Sequence, residues 1–212
     1  LLLDCAKKLT FLAGQVKQGH CSYTVVKPLY RVEGRTLGLM GFGRIPRLVA
    51  KKMAGFGVDI IAYDPMMDAQ AARELGVTPV SFERLLTQSD YLSVHGPLTA
   101  QTHHLFDRDA FRAMKPTAVF INTARGAVVK EEDLIQALKD GEIAMAGIDV
   151  TETEPIPPDH PLLKLDNALV TPHAAWYSEE AVASLQLKAA QEAARVLSGQ
   201  PPLNPVNHPK QH

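Results

Sequence analysis

The stretch TLGLMGFGRIPRLVA, residues 36–50, decides the fold class. Its first five residues form an apolar run typical of a buried strand, and the residues from Ile45 onward have the spacing of an amphipathic helix. Between them lie Gly41 and Gly43, which permit a tight turn and a close approach of another group to the backbone. This order of strand, Gly-x-Gly turn and helix predicts a loop that binds the pyrophosphate of a dinucleotide.

The third glycine of the usual GxGxxG pattern is replaced by Pro46. The first two glycines face the pyrophosphate, whereas the third mainly lets the helix pack closely on the strand. Proline is accepted in the first turn of a helix, because its missing N–H would have no partner within the helix. We therefore predict that the N–H groups of Arg44 and Ile45 still bind phosphate.

An acidic residue follows the second predicted strand. Asp64 in VDIIAYDP lies 21 positions after Gly43, close to the spacing of about 20 residues at which a carboxylate binds the ribose hydroxyls of NAD. Its charge disfavours a 2′-phosphate, and no arginine follows it in DPMMDAQ, so the sequence favours NAD over NADP. The alternative is that Asp64 only opens a turn before Pro65.

The rest of the chain alternates short apolar runs with helical patterns, which indicates an α/β fold with a doubly wound parallel sheet of Rossmann type. The predicted strands are Thr36–Met40, Val58–Ala62, Tyr91–Val94, Ala118–Asn122, Ala146–Val150 and Ala168–Val170. The predicted helices within this pattern are Ile45–Ala54, Ala69–Leu75, Phe82–Leu86, Arg108–Ala113 and Glu131–Lys139. Two flanking helices, Leu1–Lys17 and Glu179–Ser198, are predicted outside the alternating core.

The composition excludes several classes of function. The 212 residues carry 22 Lys and Arg against 23 Asp and Glu, without a block of like charge that would favour nucleic acid or an anionic membrane. Cys5 and Cys21 fit no zinc or disulfide pattern, which favours the reducing cytoplasm. No apolar stretch reaches the length of about 18 residues that spans a membrane. Small molecules and copies of the chain are the expected partners.

The histidines other than His95 and His173 suggest no metal site. His103 and His104 are adjacent, and neighbours in a strand or helix point apart, so we expect neither to share a metal with the other. Four others lie in predicted loops or the tail and are expected to be solvated: His20, His160, His208 and His212.

Three later stretches carry side chains suited to proton and carboxylate chemistry. They are VHGPLTAQTHHLF (94–106), INTARGAVVKEEDLIQALKDGEIAMAGIDVTETEP (121–155) and VTPHAAWYSEEA, which begins at Val170. Together and in this order, they resemble the D-isomer-specific 2-hydroxyacid dehydrogenases, over about residues 1–207. The third stretch is most similar to the C-terminal-binding-protein branch of that family, and other stretches are similar to its phosphoglycerate-dehydrogenase-like members.

The resemblance implies a role for three side chains. Arg125 in NTARG would pair with the carboxylate and the carbonyl oxygen of a 2-oxo acid, because a guanidinium offers two parallel N–H groups. His173 in TPH would take the hydroxyl proton as hydride leaves C2. Glu154 in TETEP would hydrogen-bond His173, fix its tautomer and favour its protonated form.

The resemblance also implies the contacts with NAD. Asp149 in GIDV would hold the nicotinamide carboxamide. The rest of the implied cofactor lining is His95, Gly96, Pro97, Thr123 and Ala124, together with Arg125 and His173. Larger residues than Gly96 are commoner at that position, so we expect extra room beside the nicotinamide.

The resemblance divides the chain into three segments. Residues 1–18 would be an interdomain and dimerisation helix, 19–177 the NAD-binding domain, and 178–212 a return helix and tail that belong to the substrate lobe. In the family, a substrate domain of roughly 100 residues precedes this region, and the chain begins after it. We therefore expect the chain alone to bind NAD and form a homodimer, but to turn over a D-2-hydroxy acid poorly or not at all.

Two other functions stay open on the sequence. One is an NAD(H)-gated interaction module like the corepressors of the similar branch, in which the cofactor would control dimerisation. The other is a cofactor domain with a vestigial site, against which the presence of Arg125, Glu154 and His173 argues. The sequence does not identify the 2-hydroxy acid, because the residues that select its side chain are largely in the absent lobe.

Overall fold

The computed structural model of the chain describes residues 1–205. They form two compact units, residues 1–173 and a second unit that begins at Ala174. His208, His212 and the end of the predicted tail lie outside the described residues. Among the helices of the described part, none is long and apolar enough to cross a membrane.

The first unit is built on one parallel sheet. Its strands are β1 (Thr36–Met40), β2 (Asp59–Tyr63), β3 (Val77–Pro79), β4 (Tyr91–Val94), β5 (Val119–Asn122), β6 (Met145–Ile148) and β7 (Ala168–Val170). They lie in the order β3-β2-β1-β4-β5-β6-β7, and every neighbouring pair is parallel. The strand order reverses between β1 and β4, and ligands of such sheets bind beyond the carboxyl ends of the strands at that point. The predicted Rossmann-type fold is confirmed.

Helices connect the strands and flank the sheet. The structure has α1 (Leu2–Lys7), α2 (Leu9–Lys17), α3 (Arg44–Met53), α4 (Ala69–Glu74), α5 (Phe82–Gln88), α6 (Arg108–Ala113), α7 (Glu131–Asp140) and α8 (Glu179–Leu197). The predicted elements from β1 to α8 end within two residues of the observed ones. Strand β3 was not predicted, because it is only three residues long and ends in a proline, which lacks the N–H of a regular strand residue.

Apolar side chains cover both faces of the sheet. Phe120 of β5 packs in one buried cluster with Phe106 and Phe111. Its neighbours Val119 and Ile121 pack in a second cluster. Successive side chains of a strand point to opposite faces, so the two clusters lie on the two sides of the sheet and hold it between layers of helices.

The prediction of one continuous helix over Leu1–Lys17 is wrong, because the helix is interrupted near its middle. The chain breaks into α1 and α2 at Lys8, whose φ of 49° lies in the left-handed region. The carboxylate of Asp4 accepts a hydrogen bond of 2.8 Å from the N–H of Thr10 and so satisfies an amide in the first turn of α2. Helical periodicity gives no sign of such a break.

Helix α1 also packs against the sheet, although the sequence placed the whole segment outside the core. Cys5 is only 2% exposed, and a Cβ added at Gly147 of β6 would lie 2.8 Å from its Sγ. The glycine thus makes room for α1 on the sheet. Burial raises the pKa of the Cys5 thiol to about 12, so this cysteine is inert at neutral pH.

The second unit consists mainly of α8. Ser178 begins the helix, because its Oγ accepts the N–H of Ala181 at 3.0 Å. Glu179 and Glu180 lie in the first turn and Arg195 in the last, an arrangement that complements the helix dipole.

Candidate active site and cofactor-binding edge

The loops that follow β1 and β4 meet at the carboxyl edge of the sheet. The N–H of His95 donates to the carbonyl of Met40 at 2.8 Å. Gly41 has a φ of 92°, and a Cβ added there would lie 2.9 Å from the backbone nitrogen of Gly96. Gly41 is therefore needed both for its backbone angle and for the approach of the second loop.

The turn beyond Gly41 leaves space for a ligand. An added Cβ at Gly43 would have nothing within 4 Å, and Gly43 caps the N-terminus of α3. Pro46 is the third residue of that helix and is buried, as predicted for a proline in the first turn. The N–H groups of Arg44 and Ile45 lie ahead of it, where a helix leaves its amides without intrahelical acceptors. This open cradle fits the pyrophosphate of a dinucleotide.

Asp64 follows β2 and holds two loops. Its Oδ2 accepts the N–H of Phe42 at 2.8 Å, inside the Gly-x-Gly turn, and its Oδ1 accepts the N–H of Met66 at 2.8 Å. The second bond closes the turn before Pro65 that was the alternative role for Asp64. The bond to Phe42 is long-range and was not predicted, and it places the carboxylate directly beside the glycine loop.

His95 is neutral at physiological pH. Burial lowers its pKa to about 4, and its Nε2 lies 3.0 Å from Oγ of Ser93. The expected extra room beside Gly96 is absent, because a Cβ added there would lie 2.6 Å from Sδ of Met40. The Met40 side chain occupies the space that a larger residue at this position would take.

The loop after β5 is shaped by a buried amide. Asn122 is 1% exposed. Its Nδ2 donates to the carbonyl of Arg125 at 2.9 Å, and its Oδ1 accepts the N–H of Ala124 at 3.0 Å. These bonds fold the backbone into a tight turn with Thr123 half-buried and Arg125 exposed. Asn122 therefore positions Arg125, a contribution that sequence reasoning missed.

The next loop, after β6, lies directly against this turn. A Cβ added at Gly126 would lie only 2.0 Å from the carbonyl oxygen of Thr151, so no larger residue fits there. The N–H of Thr151 in turn donates to Oε1 of Glu154 at 3.2 Å. The contact therefore places the loop of Arg125 beside the loop of Glu154.

Glu154 and His173 form a direct pair. Nδ1 of His173 lies 2.8 Å from Oε2 of Glu154, and their side chains are 44% and 40% exposed. A carboxylate accepts hydrogen bonds and does not donate them, so Nδ1 carries the proton of this bond and, in the neutral ring, Nε2 is the acceptor nitrogen. The pair lines a cavity of about 250 Å³ together with Asp149, Ile156 and Thr171.

Asp149 supports the same cavity from the end of β6. It is 3% exposed, and Oγ1 of Thr171 donates to its Oδ1 at 2.5 Å. The N–H of His173 donates to the backbone carbonyl of Asp149 at 2.9 Å. The backbone of His173 has a φ of 54°, a left-handed angle uncommon for a residue with a side chain.

Two expectations about the other histidines are wrong. The rings of His103 and His104 do not point apart but stack with centroids 3.9 Å from each other, because His104 has a left-handed φ of 53°. His160 is not solvated: it is 16% exposed in its side chain, and its Nε2 lies 2.9 Å from Oε1 of Glu131. Within residues 1–205, no group of three or more His, Cys, Asp and Glu could hold a metal.

Comparison with known proteins identifies the fold unit. Residues 1–175 match the family model described as the NAD binding domain of the D-isomer specific 2-hydroxyacid dehydrogenases. The chain belongs to this family. The open turn at Gly43 and the carboxylate of Asp64 are thus parts of an NAD-binding domain, and the predicted cofactor is confirmed.

The relatives of this NAD-binding domain are longer than the chain. A glyoxylate reductase of Korarchaeum cryptofilum is 47% identical over 98% of the chain and 63% of its own length. A D-3-phosphoglycerate dehydrogenase of Archaeoglobus fulgidus is 37% identical over 99% of the chain and 40% of its own length. The holo D-mandelate dehydrogenase of Rhodotorula graminis superimposes with a TM-score of 0.90 at 31% identity, over 98% of this chain and 63% of that one.

Proposed function

We propose that the protein carrying this domain is an NAD-dependent dehydrogenase that transfers hydride between C2 of a D-2-hydroxy acid and the cofactor. The observation that carries the proposal is the pair formed by Glu154 and His173. The carboxylate holds Nδ1–H, which leaves Nε2 to exchange a proton with a substrate hydroxyl. Interconversion of a hydroxyl and a carbonyl beside a nicotinamide needs such a proton carrier.

Arg125 binds and orients the substrate in this proposal. Its Nη1 donates to the carbonyl of Ala124 at 2.6 Å, which directs the guanidinium without neutralising its charge. The exposed remainder of the group offers parallel N–H donors to the carboxylate and the carbonyl oxygen of a 2-oxo acid.

In the reductive direction, NADH held at this edge of the sheet would supply the hydride for C2 of the 2-oxo acid. The protonated ring of His173 donates its Nε2 proton to the carbonyl oxygen, and the product is a D-2-hydroxy acid. Glu154 holds the ring in place and stabilises its charged form before the transfer. In the oxidative direction, neutral His173 accepts the hydroxyl proton at Nε2.

The cofactor contacts follow the edge of the sheet. The N–H groups of Arg44 and Ile45 bind the pyrophosphate at the turn of Gly41 and Gly43, and Asp64 binds the adenosine ribose. At the other end, Asp149 holds the nicotinamide carboxamide. The residues assigned to the lining between these ends are His95, Gly96, Pro97, Thr123 and Ala124, with Arg125 and His173 at the reacting end.

The substrate class is the small 2-oxo and 2-hydroxy acids, the class named in the glyoxylate reductase and D-mandelate dehydrogenase relatives. A panel of glyoxylate, hydroxypyruvate, D-3-phosphoglycerate and D-mandelate, assayed on the full-length protein, tests this proposal. We expect one member to react and His173→Ala to abolish turnover while NADH affinity stays within about twofold. His20→Ala, a change at an exposed histidine, is the matched control. Turnover unaffected by His173→Ala would refute the assignment.

We also propose a cytoplasmic homodimer that acts on small molecules rather than on nucleic acid or membranes. Leu9 and Val16 on α2 are 57% and 56% exposed, an apolar surface that a second copy would cover. Cys5 and Cys21 are free thiols, which suits a reducing compartment. Light scattering with and without NADH tests the dimer. Assembly that requires NADH, without reduction of any 2-oxo acid, would favour an interaction module instead.

A further inference from the structure

Two glutamates outside the proposed catalytic set bind each other's backbone. The N–H of Glu131, at the start of α7, donates to Oε1 of Glu152 at 2.9 Å. The N–H of Glu152, in the loop after β6, donates to Oε2 of Glu131 at 3.3 Å. We call this reciprocal arrangement of Glu131 and Glu152 the carboxylate clasp.

A histidine closes each end of the clasp. Nε2 of His160 lies 2.9 Å from Oε1 of Glu131, and Nδ1 of His160 accepts the N–H of Leu162 at 3.3 Å. Because Nδ1 is the acceptor, Nε2 carries the proton and donates a hydrogen bond to the carboxylate of Glu131. Nε2 of His104 lies 3.1 Å from Oε1 of Glu152. Both carboxylates therefore have two partners each.

The clasp joins the loop that carries Arg125 to the loop that carries Glu154. Glu131 follows the turn that begins at Arg125, and Glu152 lies two residues before Glu154. Between them, the contact of Gly126 with the Thr151 carbonyl allows no larger side chain. The side chain of Glu131 is 14% exposed, so water competes less for its bonds than for those of Glu152, whose side chain is 34% exposed.

We propose that Glu131 and Glu152 are positioning residues, which hold the Arg125 loop in register with the Glu154–His173 pair. This inference rests on the proposed function. A hydride transfer requires the group that binds the carboxylate and the group that moves the proton to be placed together, and a displacement of about 1 Å can cost a hundredfold in rate. The clasp is a side-chain link between the loop of Arg125 and the loop of Glu154.

The two glutamates of the clasp should differ in whether they tolerate substitution by glutamine. Glu152 uses one oxygen, Oε1, for both of its partners, so Glu152→Gln retains the acceptor. Glu131 uses both oxygens, so Glu131→Gln presents an amide NH₂ to one of two donors. We therefore expect Glu131→Gln to be as harmful as Glu131→Ala, and Glu152→Gln to recover most of what Glu152→Ala loses.

The first measurement needs no substrate. Nitrogen-15 NMR of the histidine rings in the chain, at about pH 8 where imidazole is neutral, reports which ring nitrogen of His173 carries the proton. His173→Gln identifies its signals. We expect the Nδ1–H form in the wild type and a mixture of tautomers in Glu131→Ala and Glu152→Ala. Glu132→Ala is the matched control, because its exposed side chain lies in the same helical turn.

The second measurement is steady-state kinetics of the full-length protein with the substrate found by the panel. We expect kcat to fall about tenfold in the two alanine variants, with NADH affinity within twofold and thermal unfolding recorded to show that each variant is folded. Folded variants with wild-type kcat and an unchanged His173 tautomer would overturn the proposed positioning role of Glu131 and Glu152. A wild type without the Nδ1–H form, or without turnover, would instead overturn the proposed function.

Discussion

Both members of the Glu154–His173 pair are held by backbone that leaves the sheet beside β6 and β7. Oε2 of Glu154 lies 2.8 Å from Nδ1 of His173, and Oε1 accepts the N–H of Thr151 at 3.2 Å. The N–H of His173 donates to the carbonyl of Asp149 at 2.9 Å. The distance between the two side chains is therefore set by the fold, and the orientation of the imidazole depends on a single carboxylate.

Glu154→Gln should remove the carboxylate that orients the imidazole of His173, while the shape of the side chain is kept. The amide can donate from its NH₂ to Nδ1 and so stabilise the tautomer with the proton on Nε2. We expect kcat of the full-length protein to fall by about 10²-fold or more, the range attributed to general acid–base catalysis, with NADH affinity nearly unchanged. Glu132→Gln is the control, and equal losses in both variants would contradict the role of Glu154.

Pro46→Gly should alter stability more than cofactor affinity. Pro46 is buried in the first turn of α3, and glycine there lowers the free energy of unfolding because it increases the freedom of the unfolded chain. We expect a loss of about 1 kcal/mol in urea unfolding. A tenfold or larger gain in NADH affinity, measured by fluorescence titration, would show that the proline obstructs the site.

Gly43→Ala should lower cofactor affinity more than it alters stability. An added Cβ has nothing within 4 Å, and the φ of −75° suits alanine, so we expect the free energy of unfolding to change by less than about 0.5 kcal/mol. The same methyl group would occupy the space that pyrophosphate needs, so NADH affinity should fall at least about tenfold. Unchanged affinity in this variant would place the phosphate elsewhere.

Local patterns predicted the sheet and the glycine turn because both depend on short-range signals. A buried parallel strand is a continuous apolar run, and the positions of Gly41, Gly43 and Asp64 follow from fixed spacings along one strand-turn-helix unit. The family resemblance supplied Arg125, Glu154 and His173, and the structure brings the last two into contact.

The features that were missed depend on contacts between different elements of the fold. Asp4 caps α2 across the break at Lys8, and Asp64 accepts the N–H of Phe42. His160 was expected in solvent, but its partner Glu131 comes from α7. Such pairs leave no periodic trace in the sequence, because each depends on how separate elements of the fold meet in space.

Asp64→Asn should weaken the binding of NADH. The variant keeps an acceptor for only one of the two amides that Asp64 binds, those of Phe42 and Met66. It also loses the charged acceptor for the ribose hydroxyls, and hydrogen bonds to charged groups contribute about 1.5–3 kcal/mol. We expect NADH affinity to fall about tenfold or more and the preference for NADH over NADPH to narrow, because the charge no longer repels a 2′-phosphate. Asp68→Asn, a change at the residue that caps α4, is the control. An unchanged preference in Asp64→Asn would contradict the assignment.

His95 should make the fold less stable in mild acid. Burial lowers its pKa from 6.5 to about 4, so the unfolded chain binds a proton between these values and the folded chain does not. Above pH 6.5 the titration of His95 does not lower the free energy of unfolding. As the pH falls from 6.5 towards 4, the free energy of unfolding decreases by up to about 3 kcal/mol, at about 1.4 kcal/mol per pKa unit. His95→Asn removes this titration. In urea unfolding from pH 7 to pH 4, the advantage of wild type over His95→Asn should therefore shrink, whereas the difference from His20→Asn should stay constant.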